Sequence, residues 1–267
     1  MNEVQKTELE ILKAFIAACE ALRLPYFLVC GSCLGAVKYQ GFIPWDDDID
    51  VGMLRGDYER FLEKAPALLP EHLFLQHYKS EKQVPFLYAK LRDSRTTCLE
   101  ASYRRLPIHQ GIYIDIFPLD GYPDKHTWWF ERKKSFYKLH NLCAYDVRGR
   151  AATQCFLKAE RILGCHKRTY RANQKLEQLL SRVPPEQSAV WCNHGNWQGK
   201  REYAPKSQYG EGALATFEDL TVRIPSDYDA YLTQKYGDWR ADLPPERQIS
   251  HHNVLVCDTK RSFENYL

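Results

Sequence analysis

The chain has 267 residues, of which 44% are hydrophobic and 27% are charged. A chain of this size can bury the core of one sizeable domain, or of a domain with a smaller lobe. The net charge of +3, from 37 basic and 34 acidic residues, gives no general attraction for nucleic acid, so we expect no nucleic-acid partner.

The N-terminal residues 1–22 have the pattern of an amphipathic helix rather than of a signal peptide. Their apolar positions recur at helical spacing: Ile11, Leu12, Phe15, Ile16 and Cys19. No run of about 18 apolar residues follows, so we expect no transmembrane helix. We expect a cytoplasmic protein, with a position at the inner membrane face left open, and nine cysteines that are free thiols.

The chain after Pro25 alternates short apolar stretches with turns, which predicts a mixed α/β core. We expect strands in "YFLVC", "DIDVGM", "FLQHY", "VPFLYAKLRD" and "QGIYIDIFPLDGYP", and helices in "GSCLGAVKYQGF" and "GDYERFLEKAPALL". Cys30 and Cys33 form a CxxC, which is typical of redox or zinc sites. The alternative is that Cys30 ends a buried strand and Cys33 opens a helix.

The composition changes after Pro123, and this change predicts three segments. Residues 1–124 form the core, residues 125–200 a basic helical insertion, and residues 201–267 a C-terminal segment that packs back on the core. Two interpretations of the basic stretch stay open. It is either a solvated helical lobe or a basic face toward an anionic or lipid-linked substrate.

The stretch "WDDDID" places four carboxylates in six residues. If Asp46–Val51 is a strand, Asp48 and Asp50 lie side by side on one face, while Ile49 and Val51 anchor the other face in the core. Such crowded carboxylates need a counter-ion, and oxygen ligands suit Mg²⁺ or Mn²⁺. The alternative is a solvated acidic turn without a bound ion.

Two further features favour a binding site over a solvated turn. Gly31 and Ser32 follow the first strand, where glycine lets a phosphate approach the backbone and a helix N-terminus offers free N–H donors. In "GIYIDIFPLD", one strand face is wholly aliphatic and Asp115 lies in the middle of the other. A buried strand aspartate is costly unless it is paired or metal-bound. If this strand lies beside "DIDVGM", three carboxylates meet.

This order of elements resembles the nucleotidyltransferase fold: a strand, a Gly-Ser turn, a helix, a strand with DxD and a later strand with a third aspartate. The block "CGSCLGAVKYQGFIPWDDDIDVGM" resembles the LicD family, which includes bacterial phosphocholine transferases and is related to the fukutin proteins. Segments "YAKLRDSRT", "GIYIDIFPLDGYP" and "YLTQKYGDWRADLPP" are also similar to LicD segments. The resemblance covers residues 5–124 well and 205–245 more loosely. Cys33 departs from the bulkier or hydroxylic residue common in such loops.

The resemblance implies a metal-dependent phosphotransferase. Such an enzyme moves a phospho-alcohol, typically phosphocholine, from a CDP-linked donor such as CDP-choline and releases CMP. The acceptor is a sugar hydroxyl of a cell-surface glycan, a lipid-linked oligosaccharide or a teichoic-acid-type precursor. By position, Asp48, Asp50 and Asp115 would hold Mg²⁺ or Mn²⁺, with Asp115 also a candidate base. Gly31 and Ser32 would bind the donor phosphates.

Further side chains are candidates for donor binding. Extra phosphate partners are Lys38, which follows the glycine turn, and Lys90 and Arg92, which share one face of a predicted strand. A choline group would need aromatic rings around it. The candidates for this cage are Trp45, Tyr113, Tyr209 and Trp239. Trp191, Trp197 and Tyr203 are further aromatic candidates.

Two competing functions stay open at this point. One is a nucleotidyltransferase that attacks the α-phosphorus of a triphosphate and releases pyrophosphate. The other is a non-catalytic carbohydrate- or metal-binding module in which the acidic cluster is only structural. The presence of all three of Asp48, Asp50 and Asp115 favours an enzyme.

Overall fold

The computed structural model describes residues 1–142, 169–195, 199–249 and 253–266. The helices are α1 (Glu3–Leu22), α2 (Cys30–Tyr39), α3 (Arg55–Lys64), α4 (Thr127–Leu142), α5 (Thr169–Leu180), α6 (Lys206–Tyr209) and α7 (Tyr228–Tyr236). The strands are β1 (Phe27–Leu28), β2 (Asp50–Leu54), β3 (Leu73–Gln76), β4 (Ala89–Asp93), β5 (Thr97–Glu100), β6 (Ile112–Gly121), β7 (Val190–Asn193), β8 (Tyr203–Pro205), β9 (Ala213–Phe217), β10 (Leu220–Ile224) and β11 (Val254–Asp258). Trp197 lies outside the described residues, as does much of the predicted basic helical stretch.

A mixed sheet of seven strands forms the centre of the molecule, which confirms the predicted α/β class. Its main path runs β1-β2-β6-β4-β3, and only β2 and β6 are parallel among these neighbours. β7 pairs with the later part of β6 and carries β8 on its other side. The sheet therefore draws strands from all three of the segments that the composition predicts.

Strand β6 is the axis of this sheet. All ten of its residues are buried, because it has neighbours on both edges and elements on both faces. Its apolar positions Ile112, Ile114 and Ile116 are at most 1% exposed, which fits the nearly continuous apolar sequence expected of a doubly covered strand. Any polar side chain on β6 is thus held in a rigid, largely dry environment.

Helix α1 packs its apolar stripe onto the central strands. The Asn2 side chain accepts from the Gln5 N–H, and the Gln5 side chain accepts from the Asn2 N–H, so a capping box begins the helix. Leu12 and Phe15 are fully buried in the main core, as the spacing predicts. The helix ends at Arg23, which takes the left-handed conformation of a C-cap.

Two local predictions are wrong in detail. Cys30 does not end a strand; it begins α2 with a positive φ of 54°, and β1 ends at Leu28. Likewise, β2 begins at Asp50 and not at Asp46, so Asp46–Asp48 form a loop before the strand. A strand through this stretch would draw several like charges into the sheet, whereas the loop leaves Asp48 partly exposed.

The C-terminal part contacts the core at several places. β11 pairs with β5 in a separate two-stranded sheet, and β9 and β10 form a hairpin. The Tyr231 hydroxyl accepts from the Cys30 N–H, which joins α7 to the start of α2. In the part of the chain that the structure describes, no helix has the length and apolar character needed to span a bilayer.

Candidate active site

The two strand aspartates are direct neighbours, because the two strands lie side by side as the sequence analysis supposed. Asp50 begins β2 and is the register partner of Asp115 on the parallel strand β6. Both are 7% exposed. The Asp115 N–H donates to the Ile49 carbonyl and the Val29 N–H to the Asp50 carbonyl, so backbone hydrogen bonds fix both Cα positions. Two carboxylates are therefore held on adjacent strands at one edge of the core.

The Asp50 carboxyl carries the electrostatic cost of this arrangement. Burial raises its pKa well above the usual aspartate value, and the nearby charges of Asp48 and Asp115 raise it further. The pKa of Asp115 is also raised by burial, while the ammonium of Lys90 opposes that shift. Asp48 thus acts on the same site from the loop, although it is not on the strand face where the sequence places it.

The Gly-Ser turn lies directly against the acidic loop. A β-carbon placed on Gly31 would be only 3.0 Å from the Asp46 Oδ2, so the absence of a side chain allows this approach. The Ser32 Oγ accepts the Asp50 N–H at 2.7 Å and keeps its own proton to donate. Gly31 and Ser32 lie in the first turn of α2, whose N–H groups have no helical partner. This turn is placed to meet an anion beside the carboxylates.

Of the predicted phosphate partners, Lys90 is the one that contacts the aspartates. Its Nζ is 2.9 Å from the Asp115 Oδ1 and 3.3 Å from the centre of the Tyr113 ring. Arg92 lies further along the same face of β4 and is buried. Its guanidinium donates to the Gln76 Oε1 and the Gly111 carbonyl, and lies 4.6 Å from the Tyr113 ring centre.

Lys38 is held at a different place. Its Nζ donates to the carbonyls of Arg240 and Ala241 at 3.0 Å each, and is 2.9 Å from the Asp242 carboxylate. These contacts join the end of α2 to the turn after α7. The predicted role of Lys38 in phosphate binding would require this contact to open.

The aromatic candidates are dispersed. Tyr113 lies beside Lys90, and Trp45, half-buried, packs edge-on against Tyr39 next to the acidic loop. Tyr209 packs in the main core against Phe27, Trp191 and Tyr231. The Trp239 Nε1 donates to Asp229. The Tyr203 hydroxyl is engaged elsewhere, since it donates a hydrogen bond to Glu131.

The structure adds aromatic residues that the sequence reasoning missed. Phe86 and Tyr88 each lie with the ring centre 5.5 Å from the Lys90 Nζ. Phe86 and Tyr88 lie just before β4, and the signal for their place beside Lys90 was that the alternation of "FLYAKLR" runs on into the strand. The rings of Phe86, Tyr88 and Tyr113 form an aromatic wall around the Lys90 ammonium group.

A buried carboxyl on α1 was also missed. Glu8 is 3% exposed, and its Oε2 has no hydrogen-bond partner among the described residues. Burial raises its pKa, and the charges of Asp48, Asp47 and Asp46 add to the effect, so it lies close to the acidic loop. One turn earlier, the Gln5 Nε2 donates to the Asp46 carbonyl. The signal was that two polar residues occupy positions in the apolar stripe of the helix.

The carboxylates of this site meet the requirements of a hard divalent cation only in part. Asp50 and Asp115 offer carboxylate oxygens on rigid strands, and the Asp115 Oδ1 contacts Lys90 without the geometry of a hydrogen bond. Within the described ranges, however, no three acidic, histidine or cysteine side chains lie close enough together to hold one ion. A cation would bind the strand pair first, and the loop residue Asp48 would have to move toward it.

Comparisons with known proteins place the chain in a family. Residues 23–150 match the family model described as the LicD/FKTN/FKRP nucleotidyltransferase domain. The lipopolysaccharide cholinephosphotransferase LicD of Haemophilus influenzae is 31% identical over 265 residues, which cover 94% of this chain and 96% of the relative. Uncharacterised proteins of Rickettsia prowazekii and Rickettsia typhi are 32% and 36% identical over 38% and 37% of this chain, and over 34% and 33% of their own length. The chain therefore belongs to the LicD family, as its glycine-to-aspartate block predicts.

Proposed function

We propose that this protein is a phosphocholine transferase that uses a CDP-linked donor and a sugar hydroxyl of a cell-surface glycan. Family membership makes the chain a transferase. The cholinephosphotransferase of H. influenzae, to which it is similar over nearly the whole length, supports phosphocholine as the transferred group and lipopolysaccharide as the first acceptor to test. A teichoic-acid-type precursor is the second acceptor to test.

The observation that carries the proposal is the direct pairing of Asp50 with Asp115 on parallel strands, beside the Gly31-Ser32 turn. Attack on a diphosphate needs neutralised phosphate charge and a nucleophile held in line. Paired carboxylates facing a glycine turn at a helix N-terminus suit this task, because one side can recruit cations and the other can contact anionic oxygens.

In the proposed reaction, the acceptor hydroxyl oxygen attacks the phosphorus that bears choline. The bond from that phosphorus to the bridging oxygen breaks, and CMP leaves with the bridging oxygen. A divalent cation at Asp48, Asp50 and Asp115 would neutralise the diphosphate charge. The hydroxyl proton would pass to a carboxylate, for which Asp115, held on the rigid strand β6, is the candidate.

Lys90 and the aromatic wall have a place in the same scheme. The Lys90 ammonium lies 2.9 Å from the Asp115 carboxylate and would be available to a donor phosphate if a cation took over that carboxylate. Phe86, Tyr88 and Tyr113 present π-faces around this position, which suit a cationic headgroup. The Arg92 guanidinium, 4.6 Å from the Tyr113 ring centre, contributes positive potential.

The test is phosphorus NMR of two parallel reactions. The first contains CDP-choline, magnesium and lipopolysaccharide lacking phosphocholine, and the second contains CTP, phosphocholine and magnesium. We expect CMP and a new phosphodiester signal in the first tube and no pyrophosphate in the second. CDP-ethanolamine, CDP-glycerol and CDP-ribitol in place of CDP-choline would show which alcohol is preferred.

The alternatives give different spectra. Pyrophosphate and accumulating CDP-choline in the second tube, with no change in the first, would establish a nucleotidyltransferase instead. No turnover with any donor, lipopolysaccharide or teichoic-acid precursor, from a protein that is folded by circular dichroism, would favour the non-catalytic binding module.

A further inference from the structure

The two strands β5 and β11 place two cysteines directly opposite each other. Cys98 on β5 is the register partner of Cys257 on β11, and the strands are antiparallel. Opposed residues of an antiparallel pair point to the same face, with Cα atoms about 4.5–5.5 Å apart. This separation lies within the usual range for a disulfide, whose Cα atoms are about 4.4–6.8 Å apart.

The two thiols are free and differ in exposure. Cys98 is 8% exposed, whereas Cys257 is exposed to solvent. The two side chains interact with each other as a thiol–thiol pair. This interaction lowers the pKa of Cys257 and raises that of Cys98, so the proton stays on the buried sulfur and the accessible sulfur is the better nucleophile.

We propose that Cys98 and Cys257 form a reversible cross-strand disulfide by exchange with a low-molecular-weight disulfide. The other cysteines in the described ranges lack this arrangement: Cys19, Cys30, Cys33 and Cys192 are all buried. Cys30 and Cys33, the CxxC pair, both lie on α2, where burial raises the pKa of each thiol.

The chemistry is a two-step thiol–disulfide exchange. The Cys257 thiolate attacks one sulfur of the small disulfide, forms a mixed disulfide and releases one small thiolate. Cys98 then loses its proton to solvent, attacks the Cys257 sulfur and releases the second small thiolate. The protein loses two electrons and two protons, and the small disulfide becomes two thiols.

The proposed disulfide lies near the acidic loop and the Lys90 side chain. The charge of Asp47 acts on the Cys257 thiol, and Cys257 in turn acts on Glu8, so β11 lies near the "WDDDID" segment. β5 ends in Glu100, whose carboxylate is 3.9 Å from the Lys90 Nζ. A disulfide here would join β11 covalently to β5, the strand that ends in Glu100 near Lys90, whatever reaction the site performs.

The experiment treats the reduced, full-length protein with oxidised glutathione, blocks remaining thiols and digests it without reductant. Mass spectrometry should find the peptide with Cys98 linked to the peptide with Cys257, with two hydrogens lost, and dithiothreitol should separate them. The melting temperature should rise by about 5–15 °C on oxidation, because the bond closes a long loop. Cys257→Ser, at an exposed position, should abolish both changes.

The matched control is the double variant Cys30→Ser/Cys33→Ser, which should still form the linked peptides and show the same shift on oxidation. Three results would overturn the proposal. They are Cys257 recovered only as a mixed disulfide with glutathione, Cys98 linked to a different cysteine, or both thiols still reduced after an excess of oxidant.

Discussion

At the scale of single residues, the site is defined by buried charges that lack full compensation. Asp50 has the strongest crowding, since burial, Asp48 and Asp115 all oppose its ionisation. In contrast, the buried Arg55 has its guanidinium paired with both oxygens of Asp120 at 2.7 Å. The first arrangement brings like charges together and is costly without a ligand, whereas the second pairs opposite charges through two hydrogen bonds within the protein. Such a difference separates a binding site from a structural ion pair.

We expect Asp50→Asn to remove activity while leaving the protein as stable as before, or more stable. Activity should fall by at least about 100-fold, as for loss of a charge that acts on the transition state. The melting temperature at neutral pH should rise by about 2–4 °C, because the variant has no charge to repel Asp48 and Asp115. Circular dichroism and CMP release would measure the two effects.

The change in melting temperature caused by Asp50→Asn should depend on pH in a definite direction. The folded pKa of Asp50 is raised above its unfolded value, so the stability that it contributes is present at acid pH and is lost as the pH rises through the folded pKa. The gain in melting temperature of Asp50→Asn should therefore be small near pH 4 and grow toward neutral pH. A gain that shrinks with rising pH would contradict the assigned crowding.

Lys90 and Asp115 allow a second test at this scale. Lys90→Met should destabilise the protein by about 3–5 kcal/mol, because it leaves a buried carboxyl without its partner. Adding Asp115→Asn to Lys90→Met should recover about 1–2 kcal/mol. Urea unfolding of the four proteins in this cycle gives the coupling energy.

The control is Lys13→Met, which removes a partly exposed lysine whose Nζ lies 2.9 Å from both Glu10 and Asp219. It should change stability by less than about 1 kcal/mol. If Lys90→Met costs no more than this control, the ion pair with Asp115 does not hold β4 to β6.

At the scale of elements, the glycine turn and α2 depend on a close approach of backbone. A β-carbon at Gly35 in α2 would lie 2.4 Å from the Gly41 carbonyl oxygen, where the chain returns past the helix. A β-carbon at Gly56 in α3 would meet nothing within 4 Å. The two helices therefore use glycine for different reasons, and only the first needs it for packing.

We expect Gly35→Ala to destabilise the protein by about 1–3 kcal/mol through this overlap. Gly56→Ala, in contrast, should stabilise it by about 0.5–1 kcal/mol, since alanine is the better helix former. Chemical denaturation of both variants is the measurement. Equal effects of the two substitutions would show that the return of the chain past Gly35 is wrongly placed.

Elements differ in how far the sequence alone predicts them. The alternation of Ile112, Ile114 and Ile116 with Asp115 correctly predicts a buried strand that carries this carboxylate. The start of β2 is not predicted, because charge repulsion competes with the period-two pattern at Asp46–Asp48 and wins. The start of α2 at Cys30 needs a left-handed residue other than glycine, for which the sequence carries no sign.

At the scale of the whole molecule, the sequence does not reveal which distant segments of the chain contact each other. Lys38 contacts Arg240 and Ala241, and Cys98 pairs with Cys257, across separations that no local pattern encodes. The adjacency of β2 and β6 was a hypothesis from the sequence, and the register Asp50 to Asp115 came only from the structure. Residue types thus indicate the chemistry, whereas the sheet decides which of them meet.

Ligand binding should be visible as stability of the whole molecule. We expect millimolar Mg²⁺ or Mn²⁺ to raise the melting temperature and CDP-choline with the cation to raise it further, because both bind the native state alone. A ligand at about 100 times its Kd stabilises a protein by about 2.7 kcal/mol. Differential scanning fluorimetry of the protein with cation, donor and both would measure the effect.

Two variants make this measurement specific to the acidic site. Asp50→Asn should lose the cation-dependent shift, since it removes one of the two strand carboxylates that a cation would meet. Asp57→Asn should keep it, because that carboxylate lies on α3, where it pairs with Arg60. A shift that persists in Asp50→Asn, or none at millimolar cation with donor present, would mean that the aspartate pair holds no cation and that Lys90 alone serves as its counter-ion.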